Sequence, residues 1–135
     1  MPGGEEVVRR AYDALQRRDL VALEELADPD LEMDLSERVL NPATYRGGEG
    51  LLRFLGEVDE LWASMDIAVE HVIEHGDELL AVLMVTLKGR GSGVEMESRI
   101  AQRWTLREGR LLRMKLQPDA DAAVARFEAR GTGAH

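Results

Sequence analysis

Gln102 is the residue whose type and setting first suggest chemistry. It lies in the run Val94 to Leu106, where Glu97, Arg99 and Arg103 are charged while Ile100, Gln102, Trp104 and Leu106 are mostly apolar. Successive strand residues point to opposite faces, so the even set faces inward and takes Gln102 with it. An amide among apolar groups costs about 1–3 kcal/mol if unpaired, so a ligand, a water or a neighbouring side chain must satisfy it. Asp34 is the second candidate. A carboxylate whose pKa is raised by apolar neighbours moves a proton at neutral pH, yet alternation also groups Glu32, Asp34 and Ser36 on what reads as an ordinary wet face. Tyr12, Trp62 and Trp104 are amphipathic aromatics that form either a stacking wall for a flat ligand or plain core. Met33, like Met65, Met84, Met96 and Met114, is soft, adaptable surface or core filler.

Two other patterns carry less. His71 and His75 share a strand face about 13 Å apart, too far for one ion, so no metal site is expected. Gly47-Gly48-Glu49-Gly50 lacks the lysine of a phosphate-binding loop and reads as the turn that starts a helix.

The elements that must position these residues follow from period. Val7, Val8, Ala11, Ala14 and Leu15 recur at helical spacing over Glu5 to Arg17, with Glu5 and Glu6 at the end that favours anions. Leu20, Leu23, Leu26 and Ala27 make a shorter helix that Asp28-Pro29 stops. Leu31 to Leu35 alternates as a short strand, and Ser36 to Arg46 has no period and reads as a loop. A third helix over Glu49 to Ser64 carries Leu51, Leu52, Leu55, Val58, Leu61 and Trp62 in its stripe. From Asp66 the period is two: one strand up to Gly76-Asp77, a doubly apolar one from Leu79 to Leu87, then Val94 to Leu106 and Leu111 to Gln117. A weak helix, Asp119 to Glu128, closes the chain. Helices grouped before a meander of strands indicate α+β, with the helices on one face of a curved sheet. The doubly apolar strand needs a second cover on the outer face.

Composition bounds the function. The chain has 135 residues, 44% hydrophobic and 32% charged, with no cysteine. One domain over residues 1–130 with a flexible tail at 131–135 is expected. No thiol nucleophile or disulfide is possible, and without a basic-then-apolar leader the chain reads as cytoplasmic. Seventeen Lys+Arg against twenty-six Asp+Glu leave a charge of −9, which repels nucleic acid and anionic membranes.

Val7-Val8-Arg9-Arg10-Ala11-Tyr12 with Arg18-Asp19-Leu20, Asp28-Pro29-Asp30-Leu31-Glu32, Tyr45-Arg46-Gly47-Gly48-Glu49-Gly50 and Gln102-Arg103-Trp104-Thr105-Leu106-Arg107-Glu108-Gly109-Arg110 resemble, in order and spacing, the SnoaL-like branch of the nuclear-transport-factor-2-like superfamily. The resemblance spans roughly residues 5 to 128. It implies a cone-shaped antiparallel sheet wrapped around three N-terminal helices, a cystatin-like α+β barrel, with a pocket inside and a homodimer through the outer sheet face. It places Asp34 at the general base of the ketosteroid-isomerase-like members and Gln102 at an oxyanion-hole donor. It also departs from them: Ala11 falls where those members carry a tyrosine, with Tyr12 turned about 100° around the helix, and Leu116 falls where the polyketide cyclases carry a base.

The leading expectation is a pocket for a small hydrophobic metabolite, lined by Met33, Ile100, Tyr12, Trp62 and Trp104. Any catalysis there is proton transfer without a cofactor, by Asp34 and Gln102. The alternatives are a binding module without chemistry and a dimerisation unit with a self-filled cone.

Overall fold

The computed structural model describes residues 3–38, 42–91 and 93–133. Helix α1 (Gly4–Arg17) buries Val7, Val8, Ala11, Tyr12 and Ala14. Its exposed arginines, Arg9, Arg10 and Arg17, each pair with the acid four residues earlier. The helix stops at Arg18, whose guanidinium caps the Leu15 carbonyl at 2.6 Å and reaches across to Asp59. Helix α2 (Leu20–Leu26) starts on the Asp19 carboxylate, which accepts from the Ala22 N–H at 3.1 Å.

Strands β1 (Ala27–Leu35) and β2 (Ala43–Arg46), helix α3 (Gly47–Leu61), strands β3 (Trp62–His75), β4 (Glu78–Gly89), β5 (Glu95–Arg107) and β6 (Arg110–Gln117), and helix α4 (Ala120–Gly133) follow. The six strands form one curved, unclosed sheet in the order β2-β1-β6-β5-β4-β3. All neighbours are antiparallel except β1 and β6, whose parallel pairing returns the first strand beside the last. This is the α+β architecture expected from the grouped helices and the meander. No helix among the described residues is long and apolar enough to cross a membrane.

Several boundaries differ from the periodic reading. Strand β2 lies inside the stretch read as a loop: four residues are too few to show a period, and only the register Met33↔Tyr45 makes them a strand. β1 begins at Ala27, and its pairing with β6 is interrupted between Ala27 and Glu32, around Pro29, which has no N–H to give. α3 stops at Leu61, so Trp62 opens β3 instead of completing a helical stripe. α4 runs on to Gly133, while residues 134 and 135 of the expected tail lie outside the described residues.

The core has two parts because β4 is apolar on both faces. Leu79, Ala81 and Leu83 join α1, α3, β1 and β6 in the inner core. Leu80 and Val82 point outward and pack with Ala101 against Ala120, Ala123 and Phe127 of α4. The second cover that the doubly apolar strand demands is therefore this chain's own last helix, and the apolar argument for a second copy at Leu80 and Val82 falls away. Phe127 also stacks on His75, ring centroids 4.8 Å apart.

At the far side of the sheet Arg107 donates to both oxygens of Asp28, at 3.0 and 2.7 Å, and to Asp30 at 2.9 Å. This ties the start of β1 to the end of β5 just before the tight turn at Glu108 and Gly109, both with positive φ. The hydrogen bonds from Arg107 hold the Asp28 carboxyl below its ordinary value, with the Asp30 N–H adding to the effect.

Two outcomes are expected. Phe127→Ala should lower unfolding free energy by about 3–4 kcal/mol in urea titrations, the range for emptying a buried aromatic site; a change under about 1 kcal/mol would mean that α4 does not seal the outer core. Folded Asp28 releases its proton more readily than it does unfolded, so its contribution is complete above the unfolded carboxyl pKa of about 3.9 and is lost as pH falls through the lower folded value. Urea midpoints should fall below about pH 4, and Arg107→Gln should flatten that fall.

Candidate functional site

Strand pairing assigns each β5 side chain to a face. Gln102 is level with Ala81 of β4 and Leu116 of β6, Trp104 with Leu79 and Met114, and Ile100 with Leu83. Residues level in an antiparallel ladder share a face. Trp104, Leu79, Met114 and Leu116 belong to the inner core, so Gln102 looks toward the helices with them. The odd positions look outward: Arg99 pairs with Glu70 and Asp121, and Arg103 with Glu78.

Burial along this inner face falls in one direction. Leu106 and Trp104 are 7% and 5% exposed, Gln102 and Ile100 are partly buried, and Ser98 and Met96 are exposed. β4 repeats the step, from fully buried Leu79, Ala81 and Leu83 to partly buried Val85 and Leu87. Its edge neighbour β3 is held beneath α1 by Gln16, which accepts the Ile67 N–H at 2.9 Å and donates to the Ile67 carbonyl at 3.1 Å. The inner face is thus fully packed by the chain's own side chains toward Leu106 and only partly buried toward Ile100, with Gln102 at the step.

A short polar chain runs through the filled end. The Trp104 Nε1–H donates to the Tyr12 hydroxyl at 2.8 Å, and the Tyr12 hydroxyl donates to Gln102 Oε1 at 2.6 Å. The two rings meet edge to face, centroids 6.1 Å apart. Burial raises the Tyr12 pKa far above its ordinary value, which outweighs the opposing hydrogen bond from Trp104 and keeps the phenol protonated. The helical count that turned Tyr12 away from the site is corrected: the buried face of α1 is broad enough for both Ala11 and Tyr12. Gln102 Nε2 donates no hydrogen bond to any described residue.

Asp34 is elsewhere. It is level with Lys115 of β6, which is level with Arg103, and that row is the outer one. Leu31, Met33 and Leu35 take the inner face of β1, and alternation forces Asp34 to the opposite side. Hydrogen bonds from Ser36, including its N–H at 2.9 Å, hold the Asp34 carboxyl below its ordinary value, and Lys115 adds to this. The expected base and the expected donor therefore lie on different faces, and the carboxyl is more acidic, not less.

Of the remaining candidates, Met33 is buried between Met114 and Tyr45 in the filled end. Ile100 stands one row beyond Gln102, partly buried against the core. Trp62, level with Gly89, is partly buried and is not among the side chains packed with Tyr12 and Trp104. The small Ala81 opposite Gln102 and the partly buried Val85 were not singled out from sequence; the signal was the doubly apolar run that contains them. Tyr45 was missed because it sits in an aperiodic stretch. It is buried against α3 at a point where a Cβ on Gly50 would come within 2.9 Å of its backbone, donates to Glu57 and accepts from Arg38. Burial, with the Glu57 hydrogen bond, raises its pKa.

Among the described residues no three His, Asp or Glu side chains gather as a metal site. Two shallow surface hollows, one on the exposed flank of α1 and one beside Asp28 and Arg107, are lined mainly by charged side chains, and neither is lined by Gln102, Ile100 or Val85.

The sequence profile of the SnoaL-like domain matches residues 8–114. Among solved structures, TerC co-crystallised with polyporic acid is 23% identical, with a TM-score of 0.75 over 93% of this chain and 95% of that one. An NTF2-like protein from Burkholderia thailandensis is 20% identical, with a TM-score of 0.79 over 94% and 98%. A protein of ketosteroid isomerase-like fold from Catenulispora acidiphila, in complex with trimethylamine, is 16% identical, with a TM-score of 0.71 over 82% and 83%. No curated protein matches the chain significantly. At such identities the likeness establishes the fold, and the polar chain through Tyr12 has to be tested on this protein. Tyr12→Phe keeps the ring but orphans the Trp104 N–H and the Gln102 carbonyl, so urea unfolding should show a loss of about 1–3 kcal/mol. An unchanged midpoint would show that the chain contributes nothing to stability.

Proposed function

The chain belongs to the SnoaL-like domain family, and from that premise we propose that it binds one small, predominantly apolar molecule in the open half of the inner sheet face, with the Gln102 amide as its polar contact. The observation that carries this reading is the step in burial at Gln102: toward Leu106 the chain packs itself fully, whereas past Gln102 it leaves Ile100, Val85 and Leu87 only partly buried on the inner face of the curved sheet. Exposed apolar surface in a concavity with a few placed polar groups is what ligand sites present. Polyporic acid and trimethylamine, held by two proteins of the same fold, support a small molecule as the occupant.

Magnitudes apportion the roles. Burying apolar ligand surface contributes about 25 cal/mol per Å², whereas one hydrogen bond nets about 0.5–1.5 kcal/mol. The apolar wall therefore supplies affinity, and Gln102 supplies orientation. Binding without chemistry is favoured over proton transfer because the side chains level with Gln102, Ala81 and Leu116, cannot titrate and Asp34 faces outward.

N-phenyl-1-naphthylamine, a neutral apolar fluorophore, should brighten on binding with a micromolar Kd, and Ile100→Trp should weaken it about tenfold or more by filling the opening, a loss of about 1.4 kcal/mol. Absence of brightening, or an Ile100→Trp protein that binds equally well, rejects the proposed site.

A further inference from the structure

We infer that the site selects hydrogen-bond acceptors over donors, and that Tyr12 sets this selection as a positioning residue; the inference rests on the inner-face binding reading above. The argument is a count of protons. An indole N–H only donates, so the Tyr12 oxygen accepts from Trp104. The phenol has one proton, and Gln102 is the neighbour to which it is given, at 2.6 Å. Gln102 must therefore present its carbonyl oxygen to Tyr12.

The amide group is planar, with its oxygen and nitrogen on opposite branches, so holding Oε1 on Tyr12 turns Nε2 away from it. The flipped amide would put N–H groups against a phenol oxygen that already accepts from Trp104, and would leave the buried phenol proton without an acceptor. Burial prevents escape by ionisation, because it keeps the phenol protonated. Hence the side turned toward the ligand carries N–H donors, with no partner among the described residues. Trp104, 5% exposed, and Tyr12, 3% exposed, are too enclosed to meet a ligand at the opening; they act through Gln102. A ligand carbonyl satisfies the donors, whereas an N–H at the same point meets donor against donor.

Three flat tricyclic probes of nearly equal shape separate the cases: 9-fluorenone accepts, carbazole donates and fluorene does neither. Displacement of N-phenyl-1-naphthylamine should show 9-fluorenone binding about tenfold tighter than carbazole, the difference expected for one hydrogen bond gained against one donor opposed. In Tyr12→Phe the amide is free to turn, so that ratio should fall to within about threefold, and Gln102→Leu should bind all three as it binds fluorene. Should Tyr12→Phe fail to fold, the wild-type protein still answers: the Gln102 side-chain NH₂ resonances, identified by their loss in Gln102→Leu, should move downfield, as a newly donating N–H does, with saturating 9-fluorenone and not with saturating carbazole. Equal affinities for 9-fluorenone and carbazole in the wild type, with all three probes bound, overturn the selection and leave the site standing. A preference that survives Tyr12→Phe overturns the role of Tyr12. If none of the probes displaces the fluorophore, the binding site itself is refuted and this inference with it.

Discussion

The first half of strand β4, Leu79 to Leu83, excludes water from both faces, and the rest of the structure is arranged around that constraint. Leu79 to Leu83 are fully buried, alternately inward and outward. A half-buried sheet would need one layer of cover, but this one needs two, and the chain provides both. Helices α1 and α3, with the curled β1 and β6, close the inner side, and α4 returns after β6 to close the outer side. Covering a strand on both faces removes far more apolar area from water than any surface ion pair returns in free energy. The charged rows of Glu70, Arg99 and Asp121 therefore decorate the outer face without holding the fold together.

Burial on the inner face is partial beyond Leu83, and the proposed binding site lies at that step. Past Leu83 the burial drops, so Val85 and Ile100 pack against the edge of the core and keep part of their surface in solvent. The polar groups at this boundary obey the rule that a buried donor or acceptor needs a partner. Trp104 donates to Tyr12 and Tyr12 to Gln102, which satisfies every buried member and leaves the remaining donors of the chain at the opening. The site's polarity thus follows from satisfying the core, since a different partner for the phenol proton would reverse the amide and what it offers.

Resemblance to the family carried the fold, while the placement of single side chains had to come from the strand pairing, for one reason. A curved sheet around helices tolerates wide change in sequence, as TM-scores of 0.71 to 0.79 at 16 to 23% identity show. Roles held by single side chains depend on one-residue register, where a slip exchanges the faces of a strand. Asp34 aligns with a base yet lies on the outer face beside Lys115, and Tyr12, one residue from the aligned position, nevertheless reaches the interior.

Local periodicity by itself determined the kinds of element, the amphipathic face of α1, the inward even face of β5 that holds Gln102, and the need for a second cover on β4. Those are properties of residues near one another in sequence, where side-chain direction follows from helical or pleated geometry alone. The tertiary structure decided the rest. That α4 and not another copy covers Leu80, that β2 exists, that Asp34 and Gln102 lie on opposite faces, and that Tyr12 gives its proton to Gln102 all depend on pairings between distant segments. Alternation separates the two faces of a strand, but only the docking of β1 against β6, and of α1 across the sheet, decides which residues on those faces meet.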